Sequence, residues 1–304
     1  MTTFQTLAAG SHYRRVAATG VSAAFGTFGE LLQGVLPGKD GDFLVTLPVA
    51  GWAVARFELH PDSEQLLVWP PRKKKALRLT SMILEEVGSP AGGVLKIDSM
   101  LPEGKGLASS SADLVATARA VANALDEPMP PRRIESHLAR IEPTDGVLYS
   151  SIVAYHHRSV RLRARLGSLP SMAVVSVDEG GEVDTVAFNS IPKPFTAADK
   201  RRYARLLEHV TRAVARRDLA EVGRVATASA RMNQALRHKW SLEAMTGICD
   251  SAGGLGVVVG HSGTTLGILL DTAAPDFPAR LAAAAQECQE LAGNVTVYRT
   301  LSFD

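Results

Sequence analysis

The stretch that decides the fold is Gly104-Lys105-Gly106-Leu107-Ala108-Ser109-Ser110-Ser111-Ala112-Asp113. It leads into residues 109–125, where apolar side chains recur at spacings of three and four, which predicts an α-helix. The first N–H groups of a helix lack intrahelical acceptors, and glycine lets a ligand approach the backbone closely. A single serine would suffice as an N-cap, so three consecutive serines favour a phosphate-binding loop over simple capping. It is not a Walker A loop, because the chain contains no G-x-x-x-x-G-K-[ST] sequence.

Outward from this loop, the hydrophobic pattern groups strands before groups of helices. Strands are predicted at residues 14–25 (entering a turn at 26–29), 43–59 (one or two strands, broken near Pro48), 66–69, 94–99, 172–178, 183–188, 256–259, 264–270 and 295–301. Further helices are predicted from the basic run to residue 87 and at 132–141, 146–157, 196–216, 219–236, 242–251 and 278–291. This order favours an α+β fold over a doubly wound sheet. The arginine-rich residues 158–165 suggest a division into domains 1–160 and 161–304.

Composition narrows the class of protein. The chain has 304 residues, 46% of them hydrophobic, so it can bury a large core and is not a disordered protein. Its formal net charge of +2 excludes a strongly basic nucleic-acid binder, and it has no apolar run long enough for a membrane span. Two cysteines far apart in sequence fit a reducing compartment. We therefore expect a cytoplasmic protein without nucleic-acid or membrane partners; the sequence leaves monomer and homodimer open.

Four motifs, in this order, resemble those of the GHMP kinase superfamily, and more narrowly its L-threonine kinases of cobalamin side-chain synthesis. They are residues 29–34 (GELLQG), 104–113 (GKGLASSSAD), 141–145 (IEPTD) and 261–264 (HSGT). The resemblance implies an N-terminal lobe like ribosomal S5 domain 2, a ferredoxin-like C-terminal lobe, and ATP bound between them. It also implies transfer of phosphate from ATP, with Mg²⁺, to the side-chain hydroxyl of L-threonine. Two alternatives remain: a sibling kinase acting on another hydroxy amino acid or amino alcohol, and a non-catalytic nucleotide sensor.

By the same resemblance, the phosphate loop would bind the nucleotide and supply some of the magnesium ligands. The cofactor-binding residues would be Gly104, Lys105, Gly106, Leu107, Ala108, Ser109, Ser110 and Ser111. Ser110 would also act in catalysis, and Ser110 or Ser111 would offer a hydroxyl to magnesium. The sequence departs from the wider superfamily at Ala108, where a glycine is common, and at Lys105, where a small residue is common.

Phosphoryl transfer requires carboxylates for metal binding and for orienting the acceptor hydroxyl. Asp113, expected in the first turn of the helix, is the main magnesium candidate, although a first-turn acid can simply complement the helix dipole; Glu135 is a lesser candidate. Asp145, expected at a helix start, is the preferred general base or hydroxyl-orienting group, or else an N-cap. Glu142 could bind metal or a substrate ammonium, or be structural.

The remaining candidates concern the acceptor and the nucleotide. Residues expected to bind the substrate are Glu30 and Gln33 in a first loop, Glu142, Thr144, Asp145, and His261, Ser262, Gly263 and Thr264 in a C-terminal loop. The basic run at residues 72–78 is interpreted as a solvated loop, with contact to nucleotide phosphates as the alternative. His156 and His157 lack a metal-binding spacing, so no chemistry is assigned to them.

Overall fold

The computed structural model describes residues 16–39, 41–181, 191–260 and 262–303. His261 and the strand predicted at 183–188 lie outside the described residues. The strands of the described part are β1 (Ala18–Val35), β2 (Asp42–His60), β3 (Leu66–Trp69), β4 (Gly92–Ser99), β5 (Ile152–His156), β6 (Arg161–Gly167), β7 (Met172–Asp178), β8 (Gly256–Val259), β9 (Thr265–Asp271) and β10 (Val295–Arg299). Its helices are α1 (Lys74–Glu86), α2 (Ser109–Leu125), α3 (Pro131–Leu138), α4 (Ala197–Arg216), α5 (Leu219–Asn233), α6 (Leu242–Ser251) and α7 (Phe277–Ala292).

The strands form one sheet in the order β10-β7-β9-β8-β1-β2-β4-β3, with β5 paired to β2 and β6 paired to β5. The pairs are antiparallel except for β3 with β4. β1 joins the two halves of the sheet, because Glu30 pairs with Val259 of β8. Helix α2 packs on β1 and β2 and is buried over most of its surface. The α+β prediction is confirmed.

Several predicted elements have the expected bounds. Helices α2 and α6 and strands β7 and β8 begin and end at the residues that the hydrophobic pattern indicated. Each is a short apolar or strongly periodic segment flanked by glycine, proline or polar residues. No helix in the described ranges is long and apolar enough to cross a membrane.

The turn predicted at residues 26–29 is wrong, since β1 continues through it to Val35. The glycines there are accommodated by register shifts between β1 and β2, so that the strand bends without ending. Gly29 has a φ of 48°, and a Cβ added to it would lie 2.2 Å from the carbonyl oxygen of Val259. Glycine is therefore required where β1 and β8 meet.

The helix predicted at residues 146–157 is also wrong. Residues 146–151 form turns, and residues 152–156 form the buried strand β5. A short apolar run such as Ile-Val-Ala-Tyr fits both a buried helix and a buried strand, and here pairing with β2 and β6 decides the outcome. Asp145 consequently lies in an irregular corner and not at a helix start.

Candidate active site

The phosphate loop adopts a conformation that leaves the N-terminus of α2 open. Gly104, Gly106 and Ala108 all have positive φ angles, of 71°, 85° and 54°. No side chain in the described part of the chain caps the helix, so its first N–H groups remain available to a ligand. The loop is fixed to β1 by two backbone hydrogen bonds, from the Gly29 N–H to the Gly106 oxygen at 2.9 Å and from the Thr27 N–H to the Leu107 oxygen at 3.2 Å. This geometry suits an anion at the helix N-terminus.

A cavity of about 390 Å³ opens in front of this helix. It gathers side chains that are distant in sequence. They come from β1, the start of α1, the phosphate loop and the corner at residues 142–145, together with His157 after β5 and Ser262 after β8. The lining residues are Glu30, Arg72, Lys73, Lys74, Lys75, Ala76, Glu103, Gly104, Gly106, Leu107, Ala108, Ser109, Ser110, Ser111, Asp113, Leu114, Glu142, Pro143, Asp145, His157 and Ser262. A volume of several hundred Å³ with a few convergent polar groups is typical of a small-molecule site.

The serines of α2 connect the phosphate loop to the predicted catalytic corner. The Ser110 hydroxyl donates to Oε1 of Glu142, whose Oε2 accepts a hydrogen bond from the Lys75 ammonium. The Ser111 hydroxyl accepts a 3.0 Å hydrogen bond from the Asp145 N–H and lies 3.4 Å from Oδ2 of Asp145. Ser110, Glu142 and Asp145, which the sequence predicted separately, are thus brought to one wall of the cavity.

Asp145 is the most perturbed carboxyl of this wall. Burial, together with the charges of Glu30 and Glu142, raises the pKa of Asp145 to about 7. Desolvation and the like charges of the two glutamates both disfavour the Asp145 anion. A carboxyl that titrates near neutral pH is suited to exchange a proton with a substrate.

Asp113 lies deeper, in the second turn of α2 and not the first. It is buried, and its Oδ2 accepts from the Lys73 ammonium, which also binds Oε1 of Glu103 at 2.7 Å. Burial raises the pKa of Asp113 above its ordinary value, although the Lys73 ammonium acts in the opposite direction. Within the described ranges, Oδ1 of Asp113 has no hydrogen-bond partner. A buried carboxylate oxygen that lines the same cavity as Ser110 and Glu142 fits the oxygen ligands that Mg²⁺ accepts alongside phosphate and water.

The basic run was missed as part of the site. Arg72, Lys73, Lys74 and Lys75 all line the cavity, and the side chain of Lys73 is only 11% exposed. The other basic residues of the run are exposed, as predicted, but residues 74–78 belong to α1 and not to a loop. The alternative, contact with nucleotide phosphates, agrees with this placement. The signal that could have identified these cations is their position in the sequence, between β3 and α1, because α1 packs against α2 and so brings them to the phosphate loop.

Glu30 and Gln33 are buried in β1 and not in a loop, so that prediction is wrong. Glu30 lines the main cavity, whereas Gln33 lines a separate cavity of about 10 Å³. The register shift between Glu30 and Leu32 alters the regular alternation of the strand, which allows both side chains to border His157. Only Glu30 is therefore placed to meet a ligand in the main cavity.

His157, to which the sequence assigned no chemistry, lines the main cavity beside Glu30. It is almost completely buried, and burial lowers its pKa to about 4, so the imidazole is neutral near pH 7. Its backbone oxygen accepts a 3.0 Å hydrogen bond from the Thr144 N–H, which fixes the corner that carries Asp145. A lone histidine after a strand gave no signal of this role.

Other predicted residues do not face the main cavity. The Thr144 hydroxyl donates a hydrogen bond to the backbone carbonyl oxygen of Glu142. Gly263 packs against the phosphate loop, and the Thr264 hydroxyl donates to Asp178. Ser262, by contrast, does line the cavity. The Lys105 side chain points away from the cavity, toward β7. Glu135, the lesser metal candidate, is not among the residues that line the main cavity; it lies on α3, where its Oε1 accepts from Tyr149 Oη and the Leu162 N–H.

Comparison with known proteins shows which family and which solved structures the chain resembles. Residues 74–150 match the family described as GHMP kinases N terminal domain. The homoserine kinase from Cytophaga hutchinsonii superimposes with a TM-score of 0.72 at 15% identity, covering 99% of this chain and 98% of that chain. A further structure, of MDDEF in complex with MVAPP, AMPPCP and magnesium, superimposes with a TM-score of 0.70 at 13% identity, covering 94% and 97%. The chain has the fold of these GHMP kinase structures, and residues 74–150 match the N-terminal domain of that family.

Two relatives found by sequence have a more specific name than the family, L-threonine kinase. The L-threonine kinase of Citrobacter freundii is 26% identical over 178 residues, which are 58% of this chain and 62% of that protein. The chain therefore spans less than two thirds of that relative. The L-threonine kinase of Salmonella typhimurium is 25% identical over 248 residues, which are 80% of each chain. The chain is thus similar to two L-threonine kinases, at low identity.

Proposed function

We propose that this protein is an ATP-dependent kinase that phosphorylates the side-chain hydroxyl of L-threonine, forming O-phospho-L-threonine. The observation that carries the proposal is the shared cavity in which the open N-terminus of α2 faces Asp145. The helix end provides an anion site, and the carboxyl provides a group for an acceptor hydroxyl. The similarity to L-threonine kinases supports the choice of acceptor.

The nucleotide would bind with its phosphates over the phosphate loop. Backbone N–H groups at the start of α2 and the hydroxyls of Ser109, Ser110 and Ser111 supply donors, and Lys73 and Lys75, which also line the cavity, supply positive charge. Both lysines are paired with carboxylates, to Asp113 and Glu142. The cations are therefore already held within the cavity, where they neutralise charge that accumulates in phosphoryl transfer.

Among the described residues, no three His, Cys, Asp or Glu side chains form a metal site by themselves, so magnesium would be held by few protein ligands together with phosphate and water. Ser110, Ser111 and Asp113 are the ligands we propose from this chain, with Glu142 as an additional acid beside Ser110. When bound, Mg²⁺ neutralises phosphate charge and orients the transferred group. Ser111 is also bonded to Asp145, so it links the proposed proton acceptor to the proposed metal ligands at the start of α2.

Asp145 would accept or orient the hydroxyl proton of the acceptor while the oxygen attacks the terminal phosphorus of ATP. The bond to the bridging oxygen breaks, ADP leaves, and the proton passes to Asp145 or to solvent. A pKa near 7 leaves a substantial fraction of Asp145 ionised at neutral pH. The protein's contribution is mainly positioning and electrostatic stabilisation.

The acidic wall favours an acceptor that carries a cation. Glu30, Glu142 and Asp145 all line the cavity, and the charges of the two glutamates reach Asp145. An acceptor ammonium would offset this negative charge, as a hydroxy amino acid does and a neutral alcohol does not. Glu30 is the proposed ammonium partner, with Ser262 as a donor for the acceptor carboxylate.

The proposal also includes the two lobes at 1–160 and 161–304, with the cavity receiving Asp145 from the first and Ser262 from the second. Action in the cytoplasm is consistent with Cys249 and Cys288, which are buried free thiols.

Release of ADP from ATP and Mg²⁺ tests the proposal, measured with single hydroxy amino acids, amino alcohols, sugars and mevalonate as acceptors. We expect ADP formation that depends on L-threonine. Turnover of another acceptor without threonine would overturn the threonine assignment and keep the kinase. ATP binding with no turnover of any acceptor would overturn the kinase proposal in favour of a nucleotide sensor.

A further inference from the structure

The Lys105 side chain makes an ion pair across the molecule. Its ammonium lies 2.7 Å from Oδ2 of Asp178, at the end of β7, and donates to the Gly181 oxygen at 2.7 Å. Gly104 and Gly106 on either side line the main cavity, but Lys105 does not. A lysine in the middle of a phosphate loop is thus directed away from the phosphates and into the other half of the sheet.

The backbone of the same residue is held from that side as well. The Thr265 hydroxyl donates a 2.7 Å hydrogen bond to the Lys105 carbonyl oxygen. Gly263 packs so closely that a Cβ added to it would lie 2.3 Å from both the Gly106 nitrogen and the Lys105 carbonyl carbon. Movement of this part of the phosphate loop would therefore disturb Gly263 and Thr265.

Asp178 connects these contacts to each other. Its Oδ1 accepts from the Thr264 hydroxyl and from the Gly180 N–H at 3.0 Å. Although burial opposes ionisation, the hydrogen bonds from Lys105 and Thr264 hold the pKa of Asp178 below its ordinary value. The carboxylate is therefore ionised at neutral pH and binds the phosphate loop and the β8–β9 segment together.

We propose that Lys105 and Asp178 are a positioning pair that sets the conformation of the phosphate loop, and that the Lys105 ammonium is not a phosphate ligand. This rests on the proposed kinase function for its effect on turnover, but the pair itself is a feature of the free protein. A small side chain could not reach β7 from residue 105.

The pair should affect geometry more than overall stability. The side chains of Lys105 and Asp178 are 21% and 36% exposed, and ion pairs at such exposure contribute little to the free energy of unfolding. Positioning is far more sensitive, because a displacement of about 1 Å can reduce the rate of an enzyme by about a hundredfold. Variants of the pair are therefore expected to fold and to bind nucleotide poorly.

The experiment compares Lys105→Met, Asp178→Asn and the double variant by ATP affinity, kcat, and amide hydrogen exchange of residues 104–109. We expect each single variant to weaken ATP binding and lower kcat on the order of tenfold. The double variant should lose no more ATP affinity and kcat than the more impaired of the two single variants, because each substitution removes the same interaction. Exchange in the loop should quicken in all three. Arg280→Met, which breaks the 2.7 Å pair with Asp276 on α7, is the matched control and should change neither loop exchange nor kcat.

A direct phosphate contact makes the opposite prediction. Lys105→Met would then weaken ATP binding strongly while Asp178→Asn left it unchanged or improved it, and loop exchange would not respond. That result would overturn the proposal. Exchanging the charges, with Lys105→Asp and Asp178→Lys together, should restore slow exchange and part of the ATP affinity if the pair positions the loop. Because exchange is measured without nucleotide, a protein that bound no ATP would contradict the kinase proposal while the pair was still tested.

Discussion

The Asp145 N–H donates a 3.0 Å hydrogen bond to the hydroxyl of Ser111. Ser111 belongs to the first turn of α2, at the proposed phosphate site, and Asp145 belongs to the corner that faces the acceptor. The two ends of the proposed reaction path are therefore joined by one side chain. A change at either residue should affect the alignment of donor and acceptor rather than the fold as a whole.

Removing the two hydroxyls of the helix start tests this arrangement. Ser110→Ala with Ser111→Ala should lower kcat by orders of magnitude, since it removes a donor to phosphate or metal and the contact to Asp145. The free energy of unfolding should fall by only about 1–3 kcal/mol, as expected for loss of the three hydrogen bonds that the two hydroxyls make. Steady-state kinetics and thermal unfolding measure the two effects, with Ser136→Ala on the exposed side of α3 as the control. A double variant with near-normal kcat would contradict the assignment of the loop.

Asp145→Asn separates chemistry from nucleotide binding. The amide cannot accept the hydroxyl proton, so kcat should fall by roughly a hundredfold to ten-thousandfold. ATP affinity should change little, because the loss is confined to the transition state. Titration calorimetry with ATP and single-turnover kinetics measure the two quantities. Loss of ATP affinity with little loss of kcat would instead place Asp145 at the nucleotide or the metal.

The raised pKa of Asp145 predicts a pH dependence. If the ionised carboxylate is the active form, kcat/KM for the acceptor should rise with pH up to about 7 and then level off. Glu30→Gln removes one of the charges that raise this pKa, so the rise should move to lower pH. A profile without such a limb, or one unmoved by Glu30→Gln, would contradict the assignment.

The same pKa has a consequence for stability that does not depend on turnover. The folded state holds the Asp145 proton up to about pH 7, whereas the unfolded chain loses it near pH 4. Between these values the folded state binds more protons, so this group lowers the free energy of unfolding as the pH rises. Asp145→Asn should therefore raise the melting temperature at pH 8 relative to wild type, and should gain little at pH 4.

Ala108 provides a test of the loop conformation itself. Its φ of 54° is left-handed, which an alanine adopts at a cost of about 1–2 kcal/mol relative to glycine. Ala108→Gly should therefore raise the free energy of unfolding by about 1 kcal/mol, measured by urea denaturation. Ala283→Gly, at an exposed interior position of α7, is the matched control and should lower it by about 1 kcal/mol. Destabilisation by Ala108→Gly would contradict the left-handed conformation.

The local sequence pattern was sufficient to predict the glycine-containing loop before α2 and the helix α2 itself, because glycine spacing and helical periodicity act over a few residues. It was insufficient where partners are distant in sequence. The apolar run of β5 becomes a strand only because β2 lies beside it, and the glycines of β1 become bulges only because β2 continues past them. No local signal distinguishes these outcomes.

The site shows the same limit. Glu142, Asp145 and the serines were predicted from their motifs, and the structure brings them together. Lys73 was missed because a run of lysines resembles a solvated surface until α1 is packed against α2. Lys105 was expected at the phosphates, but its ammonium contacts Asp178, 73 residues later in the chain.

The most direct test of the central claim is the product formed from L-threonine, ATP and Mg²⁺, identified by mass and compared with L-serine, homoserine and D-threonine in the same assay. The account predicts O-phospho-L-threonine and a kcat/KM for L-threonine above that for L-serine by about tenfold or more, since an added methyl group in an apolar pocket contributes about 1–3 kcal/mol. D-threonine should fail, because its polar groups would be misplaced. Efficient phosphorylation of homoserine or of an uncharged alcohol, with no phosphothreonine formed, would contradict it.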